Sequence, residues 1–182
     1  MRTMLPSPTI RIVVCGNADG GDDGVGLSAA ATLLPTLSAG MGATLEVRRR
    51  PELRVEDLVD LRSDERCLII DAVSGVDPGE IVIVRLEDLT ARPEFLPRSS
   101  HELPIEILLA LAGTIREQPI EGVFVGLGGH RFGYGTPISR AVRAAMPAFR
   151  NAIADQLTRL AGDGPTKDST GCLVDPPEPG SA

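Results

Sequence analysis

The sequence predicts an α/β protein, a three-layer α/β/α sandwich built on a mixed, mostly parallel five-stranded sheet. Three observations point to it. Short β-branched runs alternate with Ala- and Leu-rich stretches of helical spacing over about the first 160 residues, the order that lays helices on both faces of a sheet. The runs themselves are nearly continuous, as in Ile10-Arg11-Ile12-Val13-Val14-Cys15 and Cys67-Leu68-Ile69-Ile70, which marks strands buried on both faces. One pair of runs is joined by a connection too short for a parallel crossover, so at least one strand runs antiparallel.

The first strand, Ile10–Cys15, ends at Gly16-Asn17. Gly20-Gly21-Asp22-Asp23-Gly24 follows, with Asp22 as N-cap for a helix over Val25–Leu37. Leu45–Arg48 is the second strand and Val55–Leu61 a short amphipathic helix. Cys67–Asp71 is a central strand, and Glu80–Arg85 a fourth across the turn Asp77-Pro78-Gly79, which suits a hairpin. Residues 87–99 read as irregular, with Pro93 and Pro97. A helix is expected from His101 to Ile115, capped by Ser99 or Ser100, with Pro104 tolerated in its first turn. Val123–Leu127 is the fifth strand, residues 128–135 a Gly-rich loop, and Pro137–Leu160 the last helix. Residues 1–162 thus form one domain, and residues 163–182, with four prolines, are expected to be a disordered tail.

Composition excludes several functions. A net charge of −7 offers no basic footprint for nucleic acid, and the cluster Arg48-Arg49-Arg50 reads as a solvated strand end because Glu46 and Glu52 flank it. The longest apolar run, Ile107–Ala112, is far short of the roughly 20 residues a membrane-spanning helix needs. Pro6 and Pro8 interrupt the place where a secretory signal would carry its apolar core. Cys15, Cys67 and Cys172 are odd in number and widely spaced, against both a disulfide framework and a structural zinc site. A cytoplasmic location is expected.

In sheets of this kind the ligand crevice lies beyond the carboxyl ends of the strands. Three polar clusters fall there: Asn17 to Gly24, Asp71, and the segment around His101. Each has an ordinary explanation by itself, as cap, turn former or surface histidine. Together, carboxylates and an imidazole at strand ends make a three-ligand site for a borderline divalent metal with coordination positions left open for substrate. A Cys15–His101 nucleophile is disfavoured because Cys15 lies within an apolar strand. A phosphate loop at residues 16–21 is disfavoured too, since it lacks the glycine spacing and the lysine, and Asp19, Asp22 and Asp23 would repel the phosphate.

Gly16-Asn17 with Asp22-Asp23-Gly24-Val25-Gly26, Ile70-Asp71-Ala72 after a buried strand, Ser100-His101-Glu102-Leu103, and Gly126 followed by Ser139-Arg140-Ala141-Val142 resemble the hydrogenase maturation proteases over about residues 10–160. The resemblance implies a mixed sheet between helices and a metal site at Asp23, Asp71 and His101. It also implies an endopeptidase that removes the C-terminal extension of a nickel-iron hydrogenase large-subunit precursor after nickel insertion, the nickel being the substrate's own. Water attacking a metal-polarised carbonyl, with Asp22 or Asp23 assisting as base, would be the cleavage chemistry. One stretch departs: where the family carries an Asp-Gly-Gly-Thr type segment after its second strand, this chain reads Arg48-Arg49-Arg50-Pro51-Glu52. His130 in the Gly-rich loop has no counterpart. The alternatives are a non-catalytic nickel-binding accessory protein of hydrogenase maturation and an unrelated metal-dependent amidohydrolase.

Overall fold

The computed structural model describes residues 8–37, 40–91, 98–99 and 103–162. Along the chain the elements are β1 (Thr9–Cys15), a 3-10 turn (Gly21–Gly24), α1 (Val25–Leu37), β2 (Thr44–Arg50), α2 (Glu56–Val59), β3 (Arg66–Ser74), β4 (Ile81–Arg85), α3 (Leu86–Ala91), β5 (Arg98–Ser99), α4 (Ile105–Arg116), β6 (Gly122–Gly128) and α5 (Arg140–Gly162). The main strand order is β2-β1-β3-β6-β4, and the two-residue β5 pairs with β3. β2, β1, β3 and β6 are parallel, while β4 and β5 are antiparallel to their neighbours. A mixed, mostly parallel sheet of five main strands between helices is therefore present.

The period-2 geometry of each strand divides its side chains between two cores. Ile10, Ile12 and Val14 of β1 join Leu68, Ile70 and Ala72 of β3 under α1 and α5. Val13 and Cys15 join Cys67, Ile69 and Val73 under α2, α3 and α4. Both faces are dry, and each fully buried Ile or Leu contributes about 1.5–3 kcal/mol relative to exposure. This is why the strands read as unbroken apolar runs.

Several elements differ from expectation. β3 and β4 do not form a hairpin, because β6 lies between them, paired with β3 on one side and β4 on the other. β6 is buried along most of its length, whereas β4 is half-exposed, with Ile83 46% accessible. β6, which carries no charged residue, takes the interior position, and β4, which ends in Arg85, takes the edge. The stretch expected to be irregular holds α3, anchored by buried Leu86 and Leu89, and β5. α4 begins at Ile105, behind Pro104 at the N-cap position, and α5 at Arg140 rather than Pro137. The expected tail, residues 163–182, lies outside the described residues.

Within the arginine cluster Arg49 is solvent-exposed as expected, but Arg48 and Arg50 are not. Arg48 bonds Glu46 and Asp60, and Arg50 Nε donates to Asp57 Oδ1 at 2.7 Å. Beneath them Arg11, 4% exposed, pairs with Glu46, Asp60 and Glu65. The carboxylates that α2 and its flanks bring over β2 lay too far along the sequence to be read as partners. No described helix is long and apolar enough to cross a membrane.

Candidate active site

The carboxyl ends of β1, β3 and β6 lie side by side, and three loops meet over them. Gly16 starts the first loop. Its φ of +122° suits glycine, and a Cβ there would collide with the carbonyl of Asp23. The chain can thus fold back tightly on the strand end, with Gly16 N–H donating to Arg50 O at 3.1 Å. Asn17 Oδ1 accepts the N–H of Asp19 at 3.0 Å, and Asp23 Oδ2 accepts the N–H of Asn17 at 2.7 Å. Asp23 is partly exposed at this loop.

Asp71 enters from β3. Val14 pairs with Ile70 and Asp71 with Gly126, so Asp71 lies one register step past Val14, level with the end of β1. It is 2% exposed and shares a strand face with Ile69 and Val73, the face covered by α4. Its Oδ1 accepts the N–H of Ala72 at 2.8 Å.

Cys15 registers how these carboxylates gather. Burial pushes its thiol well above the usual value, and the negative charges of Asp71, then Asp57, and also Asp23, push it further. A thiol so held favours its protonated form, which argues against Cys15 as a nucleophile. Cys67, fully buried on the same face, is pushed up to about 12 by burial. Asp57, on α2, is a carboxylate that sequence reasoning missed. It is 2% exposed, and its Oδ2 has no hydrogen-bond partner among the described residues. The one sequence signal for it is the arginine cluster, whose three positive charges exceed the two negative ones of flanking Glu46 and Glu52.

Asp22 does something else. It does not cap the helix that follows it, and the 3-10 turn has no side-chain cap. Its Oδ1 accepts the N–H of Ser139 at 2.7 Å, at the N-terminus of α5, and its Oδ2 accepts the N–H groups of His130 at 3.1 Å and Arg131 at 3.0 Å. Burial alone would raise its carboxyl, but the N–H groups of Ser139, His130 and Arg131 outweigh it and hold the group below its ordinary value of 3.8. With no exposed surface and three N–H donors on its two oxygens, Asp22 acts as a clamp between the first loop and the Gly-rich loop and presents no surface to a substrate. Gly135 N–H to Asp19 O at 2.7 Å and Gly129 N–H to Val73 O at 2.8 Å complete the clamp. His130 stands on its rim, 48% exposed, with Nδ1 3.6 Å from Asp22 Oδ2.

Of the four site residues read from the sequence, Asp23 and Asp71 thus come to one strand edge, Asp22 is turned into the loop clamp, and His101 lies outside the described residues. Among the described residues no three His, Cys, Asp or Glu side chains are grouped to hold a metal ion.

The sequence pattern of the hydrogenase maturation proteases matches residues 54–156, more than half of the chain, a span that includes Asp71, His101 and the Gly-rich loop. The chain belongs to the hydrogenase maturation protease family. It is a peptidase, and its family acts on hydrogenase large-subunit precursors. Among solved structures it is similar to the NiFe hydrogenase maturation protease HybD from Thermococcus kodakarensis, with 25% identity, a TM-score of 0.61, and coverage of 82% of this chain and 99% of that one. It is also similar in fold to the hydrogenase maturating endopeptidase HybD from E. coli, with 20% identity, a TM-score of 0.66 and coverage of 85% and 94%. A third, the maturation protease HycI from Thermococcus kodakarensis KOD1, has 22% identity, a TM-score of 0.59 and coverage of 84% and 93%. No curated protein matches the chain.

Proposed function

We propose that this maturation protease removes the C-terminal extension of a nickel-iron hydrogenase large-subunit precursor after nickel insertion, and that it recognises the nickel already bound in that substrate. The observation that carries the reading is the pair of carboxylates, Asp23 and Asp71, at one strand edge around the end of β1. Two oxygen donors, joined by the imidazole of His101, make a set with open positions for a borderline divalent ion. Such a set holds a free ion loosely, so the substrate's own ligands must supply the rest of the coordination. Nickel then signals that the precursor is ready and fixes the scissile bond at this edge. Asp23, partly exposed where Asp22 is not, is the carboxylate that can assist an attacking water.

The protein should be isolated largely free of metal, should shorten nickel-loaded precursor, and should leave nickel-free precursor intact. Intact-mass spectrometry of the large subunit before and after incubation, with and without prior nickel insertion, decides it. Equal processing of both forms refutes nickel recognition.

A further inference from the structure

α4 is apolar on the wrong side. Its inward residues Ile105, Leu108, Leu109 and Ala112 are buried against the sheet as expected. Four more large aliphatic residues, Leu103 just ahead of the helix and Ile107, Leu111 and Ile115 on it, recur every fourth position on the outward side and are 51%, 50%, 46% and 58% exposed. The fully exposed positions between them are Pro104, Ala110 and Thr114, and the nearest charge, Glu106, is half-buried at the flank of the row. α5, the other long surface helix, shows the contrast: its exposed positions include Arg140, Arg143, Asp155 and Arg159. A helix with an apolar row on its outward side as well as its inward one is built to be covered.

The helix also points at the site. β5, four residues before Leu103, pairs with Val73 and Ser74 at the carboxyl end of β3. At the other end of α4, Arg116 Nη2 donates to Leu61 O at 3.0 Å, in the turn that leads into the amino end of β3. The helix therefore runs against the parallel strands. Its row of aliphatic residues starts at the edge that carries Asp71 and descends the flank for about 18 Å, at 1.5 Å per residue.

Resting on the function proposed above, we infer that this row is a docking ridge for the folded body of the large-subunit precursor, which offers it an apolar patch while the C-terminal extension lies over the strand edge. A protein whose scissile bond is cut at this edge must already lie over the start of the ridge, and the ridge prolongs that contact. A second copy of this chain fits less well. Half-exposed faces of four aliphatic side chains amount to on the order of 400 Å², short of the ~800 Å² per partner typical of a stable interface. A copy seated there would also crowd the edge that a protein substrate must reach. A transient contact that adds affinity beyond the nickel grip suits the ridge better.

The test is the pair Ile107→Glu and Leu111→Glu in one protein, both positions being outside the carboxylate edge, with Ile107→Gln and Leu111→Gln as the gentler pair. Binding of wild type and variants to immobilised nickel-loaded precursor is measured beside steady-state processing, with melting curves and light-scattering masses for each protein. The expectation is a monomeric wild type, and a Glu pair that melts with it, binds precursor at least tenfold more weakly, and shows a raised KM with kcat retained. The Gln pair falls between. Unchanged binding and KM in both folded variants overturn the ridge even though wild type cleaves. A dimeric wild type made monomeric by the Glu pair overturns it in favour of self-association, and so does a wild type that does not bind the precursor. Ridge-dependent binding without cleavage would leave the ridge standing and remove the proteolytic reading.

Discussion

Replacing Asp22 by Ala should destabilise the fold by several kcal/mol and only secondarily reduce activity. Three backbone N–H groups, those of Ser139, His130 and Arg131, donate to this carboxylate. Hydrogen bonds to a charged partner contribute about 1.5–3 kcal/mol each, and a buried donor left unsatisfied costs about the same. Ser139 is 2% exposed and would lose its partner outright, whereas His130 and Arg131 are exposed residues whose N–H groups water can partly satisfy. The loss should be roughly 3–5 kcal/mol, which in a chain of this size lowers Tm by about 10 °C. Asp22→Asn should recover part of it, because one oxygen remains while the new NH2 must face an N–H donor. Since the folded carboxyl is held below 3.8, its contribution is complete above the unfolded value and is lost as pH falls through the folded one. The Tm gap between wild type and Asp22→Ala should be constant from pH 6 to 8 and narrow below about pH 4. Thermal and urea melts across that range are the assay. A Tm within 2 °C of wild type at pH 7, together with abolished cleavage, would refute the clamp and make Asp22 a catalytic group.

Asp71→Asn keeps an oxygen for the Ala72 N–H but loses the charge; processing of nickel-loaded precursor should fall at least a hundredfold with Tm little changed, and His101→Ala should behave alike, as read by intact-mass time courses. Arg11→Met should cost about 3 kcal/mol, because it strips one partner from Glu65, whose side chain is 1% exposed; a urea midpoint near that of wild type would contradict the buried network. Cys15 and Cys67, buried with raised thiol values, should resist iodoacetamide in the native protein at pH 8, and cleavage should survive the treatment; peptide mapping shows which thiols react.

Local pattern alone carried the five main strands and four of the five helices, but not α3 or the short β5. The runs at β1 and β3 are apolar on both faces because the layers on either side must each be filled, so their burial was legible residue by residue. The place of Asp71 was legible as well, since a polar residue that closes such a run has few places to go except the carboxyl edge. What the sequence could not supply was pairing at a distance. Asp22 looks like the cap of the helix beside it, yet its partners lie 108, 109 and 117 residues away. Arg48 and Arg50 look solvated, yet α2 brings Asp57 and Asp60 onto them. β4 looks like the second strand of a hairpin, yet β6 displaces it from β3. In each case a short-range rule is satisfied equally well by two arrangements. The choice falls to the packing of whole layers, in which the uncharged β6 takes the interior and each buried charge must find a partner wherever the chain has carried one.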